Sequence, residues 1–461
     1  MKTYELLIVG GGGATALARR AGEEGVKTAI VDPGPLGGTC PNRGCIPSKI
    51  LLQHATVVEN VRRAPRFFVD VWAGKVDSAK VLSWMRREIA GTHEAIRDSF
   101  EGPVEYFQER AEFVDAHTVR AGKEELRGKR VVIATGAHPT PPHGVDREKV
   151  PYLVSDDVFR MKQAPKSIAI VGGGFIACEF AHFFASMGSE VTMVERSAEL
   201  LMAEDEEVRH AFCAAFCPRV DYRANAQVAS AEHSRGKFRL KLSGGRKKGV
   251  EVEALLYALG RRPNTAGIGL EGTGIAVNER GFVPVDDHLR TNVPDVWAVG
   301  DVNGRHMFTH ATTAQVEYLA EVLFEGRRTP IDHGPMPHAV FTDPEVGAVG
   351  ETEQALRARG AKYVKSVVKY KDVAKGSAMK ERHGLAKLLA DPSGRILGFH
   401  VVGPEASVLL HQVVPVMRWR NHVSSLTHAV TVHPSLNELV AATAWEVLER
   451  LPTRSRRLGR A

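Results

Sequence analysis

The sequence predicts an α/β chain in which two parallel-sheet nucleotide folds precede a smaller α+β unit. Three observations carry that reading. Glycine-rich turns joining a strand to a helix occur at Gly10 and again at Gly172, and from Pro337 the texture changes to alternating strands and helices. The first unit begins with the apolar run Tyr4–Val9, which reads as a buried parallel strand. Gly10, Gly11, Gly12 and Gly13 follow, then helical residues to Gly22, then the apolar run Thr28–Val31 ending in Asp32. In such a unit the glycines let backbone approach a pyrophosphate, and the terminal acid bonds a ribose hydroxyl. The third glycine position is Thr15, whose bulk predicts looser packing of helix on strand.

The second unit repeats the pattern: Ser167–Val171, then Gly172, Gly173, Gly174, Phe175, Ile176 and Ala177, a helix through Met187, and the strand Val191–Val194 ending in Glu195. Here small Ala177 fills the third position. Two such fingerprints imply two dinucleotide sites. Between them the sequence predicts a helix ending near Arg62–Pro65, a second helix around Lys80–Phe100, and hairpin strands. A buried strand then runs from Val131 into the turn Thr135-Gly136-Ala137. After the second unit, Leu255 to Gly260 and Asp295 to Asp301 each read as a strand closed by glycine, at Gly260 and Gly300. From Pro337 onward the expectation is strands with two helices, punctuated by Gly394 and Gly403.

The chemistry concentrates in Gly37–Lys49, where Cys40 and Cys45, two of only five cysteines, lie five residues apart. Ile46, Ile50, Leu51 and Ala55 recur at helical spacing, and proline at position 47 suits a first turn. Cys45 therefore sits near a helix N-terminus with Arg43 and Lys49 close by, and both influences lower a thiol pKa. A low-pKa thiolate with a second thiol in reach supports reversible disulfide exchange. No second Cys/His pair stands at zinc-ligand spacing, so no metal is expected. Cys213 and Cys217, four apart beside Phe212 and Phe216, read as buried packing, as does Cys178.

Composition bounds the rest. The chain has 461 residues, room for two or three domains, with ordinary apolar and charged fractions. The net charge of +7 is diffuse apart from Arg246-Lys247-Lys248 and the tail Arg454 to Arg460, and no nucleic-acid-binding module accompanies it. A strand follows the first residues directly, and no apolar run approaches a membrane span. The expectation is a cytoplasmic protein without nucleic-acid or membrane partners.

The order of these pieces resembles the flavoprotein disulfide reductases, among them dihydrolipoamide dehydrogenase, glutathione reductase, mycothione reductase and mercuric reductase. The resemblance rests on GGTCPNRGCIPSK at 37–49, ATGAHP at 134–139, GGGFIACEF at 172–180, ALGRRPN at 258–264, VWAVGD at 296–301, FTDPEVGAVG at 341–350 and HPSLNE at 433–438. It implies two Rossmann-like dinucleotide-binding domains plus a C-terminal α+β dimerisation domain. Residues 1–150 and 270–333 would bind FAD, 151–269 would bind NAD(P), and 334–461 would form the interface.

By position, the resemblance places FAD on Gly10, Gly12, Asp32, Thr39, Thr135, Gly136, Gly300 and Asp301. It places the nicotinamide nucleotide on Gly172, Gly174, Phe175, Glu195, Arg196 and Gly260. Cys45 would face the flavin and Cys40 the substrate, Lys49 would pair with Glu179 beside the flavin, and Phe175 would be a gating aromatic where many relatives have tyrosine. His433 and Glu438 match an acid–base dyad supplied by the opposite subunit of a homodimer. An imidazole returns the proton that a leaving thiol needs, and a carboxylate fixes its tautomer.

Glu195 would repel a 2′-phosphate and favours NADH, although Arg196 beside it could accommodate the phosphate of NADPH. Stretches such as SIAIVGGGFIACEFAHFFASMG look most like mycothione reductase, whereas Glu195 is more typical of dihydrolipoamide dehydrogenase. No cysteine follows Cys217, which sets mercuric reduction low. The expected reaction is NAD(P)H-driven reduction of a low-molecular-weight disulfide. The alternatives are dihydrolipoamide oxidation with NAD, reduction of a non-disulfide acceptor, or a non-catalytic flavoprotein scaffold.

Overall fold

A computed structural model describes residues 1–72 and 74–452. The basic tail Arg454 to Arg460 lies outside the described residues. Lys2–Val9 is a strand flanked in parallel by Thr28–Val31 and Glu124–Ile133, and Val104–Phe107 extends the sheet beyond Thr28–Val31. Val296–Ala298 also joins this sheet, pairing in parallel with Glu124–Ile133, so chain from after the second glycine unit returns to the first. Leu6, Leu7 and Ile8 are fully buried, as expected of a parallel strand covered on both faces.

The second sheet is parallel throughout, in the order 221–223, 190–194, 167–171, 254–257. An antiparallel three-stranded sheet, 226–234 with 237–244 and 249–252, packs against one face of it through Phe238, Leu240 and Val252 on Ala169, Val171 and Leu255, and the basic residues 246–248 form one of its turns. The C-terminal unit is a five-stranded antiparallel sheet in the order 338–340, 346–350, 396–402, 385–390, 364–369. Its fully buried Lys387 donates to Asp205 (2.8 Å) and Glu353 (2.5 Å) and forms an ion pair with Glu207 (2.6 Å), tying this sheet to the second nucleotide unit. A buried cation needs such partners, because removing one leaves an uncompensated charge.

Several expectations need correction. The helix expected over Lys80–Phe100 is two, Ser78–Ile89 and Thr92–Asp98, because Gly91 turns left-handed at φ +81°. Val104–Phe107 is a parallel strand rather than part of a hairpin. The C-terminal unit holds six α-helices among the described residues, not two. Short apolar runs such as Ala406–Leu410 fit either helix or strand by periodicity, which hid them.

Thr15 does not loosen the first unit. Its side chain is half-buried and its hydroxyl donates to the Gly12 carbonyl (2.9 Å), while Ala14 and Ala18 are fully buried. Cys178 is buried as expected, but Cys213 and Cys217 are only half-buried, since Phe212 and Phe216 occupy the inward face of their helix.

Candidate active site

Cys45 is the first residue of the helix Cys45–Arg63, and Cys40 lies in the short helix Thr39–Arg43 that precedes it. Gly38 and Gly37, both at positive φ, turn the chain into that short helix. A Cβ on Gly38 would stand 2.8 Å from the Gly12 backbone, so glycine there lets the cysteine segment lie against the first nucleotide turn.

The two thiols are in contact. Hydrogen bonding between them, helped by Thr309 and Lys49, lowers the Cys45 pKa to about 6 despite opposing desolvation. The same pairing, with burial, pushes Cys40 far up. The two shifts run in opposite directions, so the pair loses its first proton more readily from Cys45 than from Cys40. Thr309, first residue of the helix Thr309–Phe324, contacts Cys45 Sγ at 3.3 Å.

Lys49 follows Cys45 by one helical turn. Its Nζ lies 3.0 Å from both carboxylate oxygens of Glu179, a buried residue on the helix Phe175–Ser186. The Phe341 N–H also donates to Glu179 (3.1 Å), and Lys49 Nζ sits 4.6 Å from the Phe341 ring centroid. The helix after the cysteines is thereby fixed to the second nucleotide unit and to the C-terminal unit at once.

The first nucleotide turn gathers Gly10, Gly12, Asp32, Thr39, Thr135, Gly136, Gly300 and Asp301. Asp32 accepts from the N–H groups of Gly11 and Gly34, each at 2.6 Å. Above Gly12 and Gly136 there is open space where a Cβ would meet nothing within 4 Å, and the buried Thr135 hydroxyl has no hydrogen-bond partner among the described residues. An open glycine cradle beside a spare buried hydroxyl fits a dinucleotide such as FAD. Asp301 is held above its usual pKa by burial, with the Arg261 guanidinium 3.8 Å away opposing that. Gly300 donates its N–H to Gln315 (2.8 Å).

The second turn holds Gly172, Gly174, Phe175, Glu195 and Gly260. Gly174 and Gly260 open into free space, and Phe175 is 44% exposed at the start of its helix. The Glu195 carboxylate accepts from Ser197 N–H (2.9 Å) and packs over Gly173, while Arg196 is exposed. His433 is exposed and its Nδ1 lies 2.7 Å from Glu438, whose pKa that bond lowers. In the single chain this dyad projects to solvent.

Sequence reasoning assigns no role to Thr309, Arg261 or Phe341. Arg261 donates to Thr39 (3.2 Å) and to the Ala137 carbonyl (2.5 Å), which joins the cysteine segment to the turn after Ile133. Arg261 and Phe341 lie in the stretches ALGRRPN and FTDPEVGAVG that carry the resemblance, and a cation or ring at a strand end was the available signal. Thr309 offered none, because nothing local marks a hydroxyl that meets a sulfur from 264 positions away.

Among the described residues no group of three or more metal-ligating side chains converges, and no helix is long and apolar enough to cross a membrane.

Comparison with known proteins agrees with this geometry. The pyridine nucleotide-disulphide oxidoreductase family matches residues 4–317, and its dimerisation domain matches residues 336–444. Mycothione reductase of Mycobacterium tuberculosis is 32% identical, over 95% of this chain and 98% of its own. Glutathione reductase of Burkholderia cepacia is 30% identical over 94% and 97%, and dihydrolipoyl dehydrogenase of Chlamydia muridarum 30% over 96% and 96%. Among solved structures, the HOCl-induced flavoprotein disulfide reductase RclA from Escherichia coli, as its Cu(II) complex, superposes with a TM-score of 0.86. It has 27% identity, covering 97% of this chain and 100% of that one. The expectation of a catalytic protein rather than a scaffold stands, and the matched dimerisation domain supports a homodimer. The chain belongs to the pyridine nucleotide-disulphide oxidoreductases, NAD(P)H-dependent flavoenzymes that use FAD.

Proposed function

We propose that this enzyme reduces a low-molecular-weight disulfide of the mycothione or glutathione kind, through Cys40 and Cys45. The observation that supports it best is the unequal thiol pair beside Thr309 and Lys49, with Cys45 shifted down and Cys40 shifted up. Bound FAD supplies the two-electron link between nicotinamide and sulfur. Cys45, beside Lys49 and Thr309, stays as the stabilised thiolate. Cys40 attacks the substrate disulfide and needs a base to take its proton.

His433 of the partner subunit takes that role and then protonates the leaving thiol, with Glu438 holding its ring. The exposure of the dyad in one chain is what a residue awaiting a second chain would show. In this reading residues 1–150 with 270–333 hold FAD, on the first-turn residues named above. Residues 151–269 hold the nicotinamide nucleotide, NADH in preference because of Glu195, and 334–461 form the interface.

The test is an anaerobic single turnover of the two-electron-reduced enzyme with glutathione disulfide, mycothione, bacillithiol disulfide and lipoamide. Rapid oxidation by one of the first three, lost in His433→Ala while reduction by NAD(P)H persists, is the expected result. Preference for lipoamide would give the reaction to dihydrolipoyl chemistry instead. In the same enzyme, alkylation of Cys45 by iodoacetamide should hold its rate from pH 8 down to about 6 and fall below that. A midpoint near pH 8.5, ordinary for a free thiol, would remove the thiolate from the scheme.

A further inference from the structure

A second pair of cysteines lies outside this machinery. Cys213 is on the helix Glu206–Phe216, and Cys217 opens the 3-10 turn Cys217–Arg219 directly after it. Their spacing of four puts both sulfurs on one side of the helix. The inward side belongs to Phe212 and Phe216, both fully buried, with rings stacked at 4.9 Å. The cysteines are left half-buried at the edge of the second nucleotide unit.

The two sulfurs lie close enough across one helical turn for a thiol–thiol hydrogen bond. That bond comes first among the influences lowering the Cys213 pKa, opposed by desolvation and joined by the Leu200 N–H. Cys217 is pushed far up, by the same bond and by burial. The two shifts run in the same directions as those of Cys45 and Cys40. Beside the pair, the Tyr222 hydroxyl is buried and has no hydrogen-bond partner among the described residues. It lies within electrostatic reach of Cys213, Cys217 and Glu195.

We propose that Cys213 and Cys217 form a second dithiol site, one that captures a soft thiophilic centre satisfied by two sulfurs, trivalent arsenic or a soft metal cation. Sulfurs this close, one helical turn apart, present two donors to one small centre. Soft thiolates select soft acceptors. Cys178 is fully buried and donates its thiol to the Gly173 carbonyl (3.8 Å), which leaves a two-donor site and not a three-donor cage.

With a monosubstituted arsenic(III) oxide, two S–H bonds and the arsenic–oxygen bond give way to two arsenic–sulfur bonds and one water. Arsenic stays trivalent. With a divalent cation, two protons leave. The site also borders the nicotinamide turn, because Leu200 N–H reaches Cys213 and Leu201 N–H donates to the Gly173 carbonyl (2.8 Å). Occupation of Cys213 draws on the sulfur that Leu200 uses, and should raise the KM for the nicotinamide nucleotide.

The experiment uses the full-length flavoprotein carrying Cys40→Ser and Cys45→Ser, so that the catalytic pair cannot answer. One portion receives phenylarsine oxide and another Cd2+, and uptake is read by intact-mass spectrometry and thiolate-to-metal absorbance. One equivalent per chain of either probe, held against a monothiol, released by a dithiol and lost in an added Cys213→Ser, is the expected result. Cys178→Ser should keep it. Which probe is retained tells an arsenic-type centre from a soft cation.

Peptide mapping of the arsenical adduct on the parent protein places it independently of whether Cys213→Ser folds. Uptake of neither probe, or an adduct mapping away from residues 213 and 217, overturns the proposal.

Discussion

Gly10 and Gly172 occupy nearly the same backbone conformation, φ +115° and +124°, and each passes tight against a neighbouring strand end. A Cβ on Gly10 would stand 2.2 Å from the Ala134 carbonyl oxygen, and one on Gly172 2.4 Å from that of Ala258. Each donates its N–H to the last residue of the adjacent strand, Val31 at 2.8 Å and Val194 at 2.9 Å. Two positions later, Gly12 and Gly174 both face open space. The turns part company at their acids. Asp32 has both oxygens engaged by backbone N–H groups, of Gly11 and Gly34, whereas Glu195 accepts one such bond among the described residues, from Ser197. The first turn builds its acid into the fold, and the second leaves most of its acid available. That difference suits a resident nucleotide on one side and an exchanging one on the other.

The largest effect that probes this comparison is at the first glycine of each turn. Gly10→Ala and Gly172→Ala each place a methyl group against a carbonyl in a conformation other residues avoid. The strain is about 1–3 kcal/mol, and overpacking adds a similar amount. Both variants should lose several kcal/mol in chemical denaturation, and to a like degree. A marked inequality would show that the turns are not equivalent supports.

Next in size is the second fingerprint glycine, Gly12 or Gly174, where the protein itself does not object to a methyl group. Gly12→Ala should fold yet purify with a flavin-to-protein ratio lowered about tenfold or more, since close backbone approach to the pyrophosphate is what glycine provides there. Gly174→Ala should keep its flavin and instead raise the KM for the nicotinamide nucleotide by a similar factor. Loss of flavin from Gly174→Ala would break the division of labour between the turns.

Both turns were legible in the sequence because strand, glycines, helix and terminal acid are contiguous, and each local choice agrees with the fold around it. The cysteine helix was legible for the same reason, with Cys45, Lys49 and the apolar positions 51 and 55 within three turns. What escaped was assembled from afar. Thr309 meets Cys45, and Phe341 meets Lys49 and Glu179, only after the chain has returned to the first sheet through Val296–Ala298 and then entered the C-terminal unit. The half-exposure of Cys213 and Cys217 escaped because helical spacing gives a face but not its depth. Thr15 misled because the pattern fixes a position, while the backbone gave the packing role to Ala14 and Ala18.

The smallest effect is the most discriminating for the second turn. Glu195 holds its carboxylate over Gly173 with one backbone bond, so its charge faces the region where the fingerprint places an adenosine ribose. A carboxylate there bonds two ribose hydroxyls and repels a 2′-phosphate, while exposed Arg196 offers that phosphate a partner once the acid is gone. Removing the charge in Glu195→Ala should shift the ratio of kcat/KM for NADPH over NADH upward by about tenfold, on the order of 1–2 kcal/mol at a partly solvated site. Stability should change little, because the lost bond is single and local. The corresponding change at Asp32 should do the reverse, lowering stability and flavin retention together, since two backbone donors lose their acceptor. An Asp32→Ala protein that stays as stable as Glu195→Ala would erase the contrast between a built-in acid and an available one.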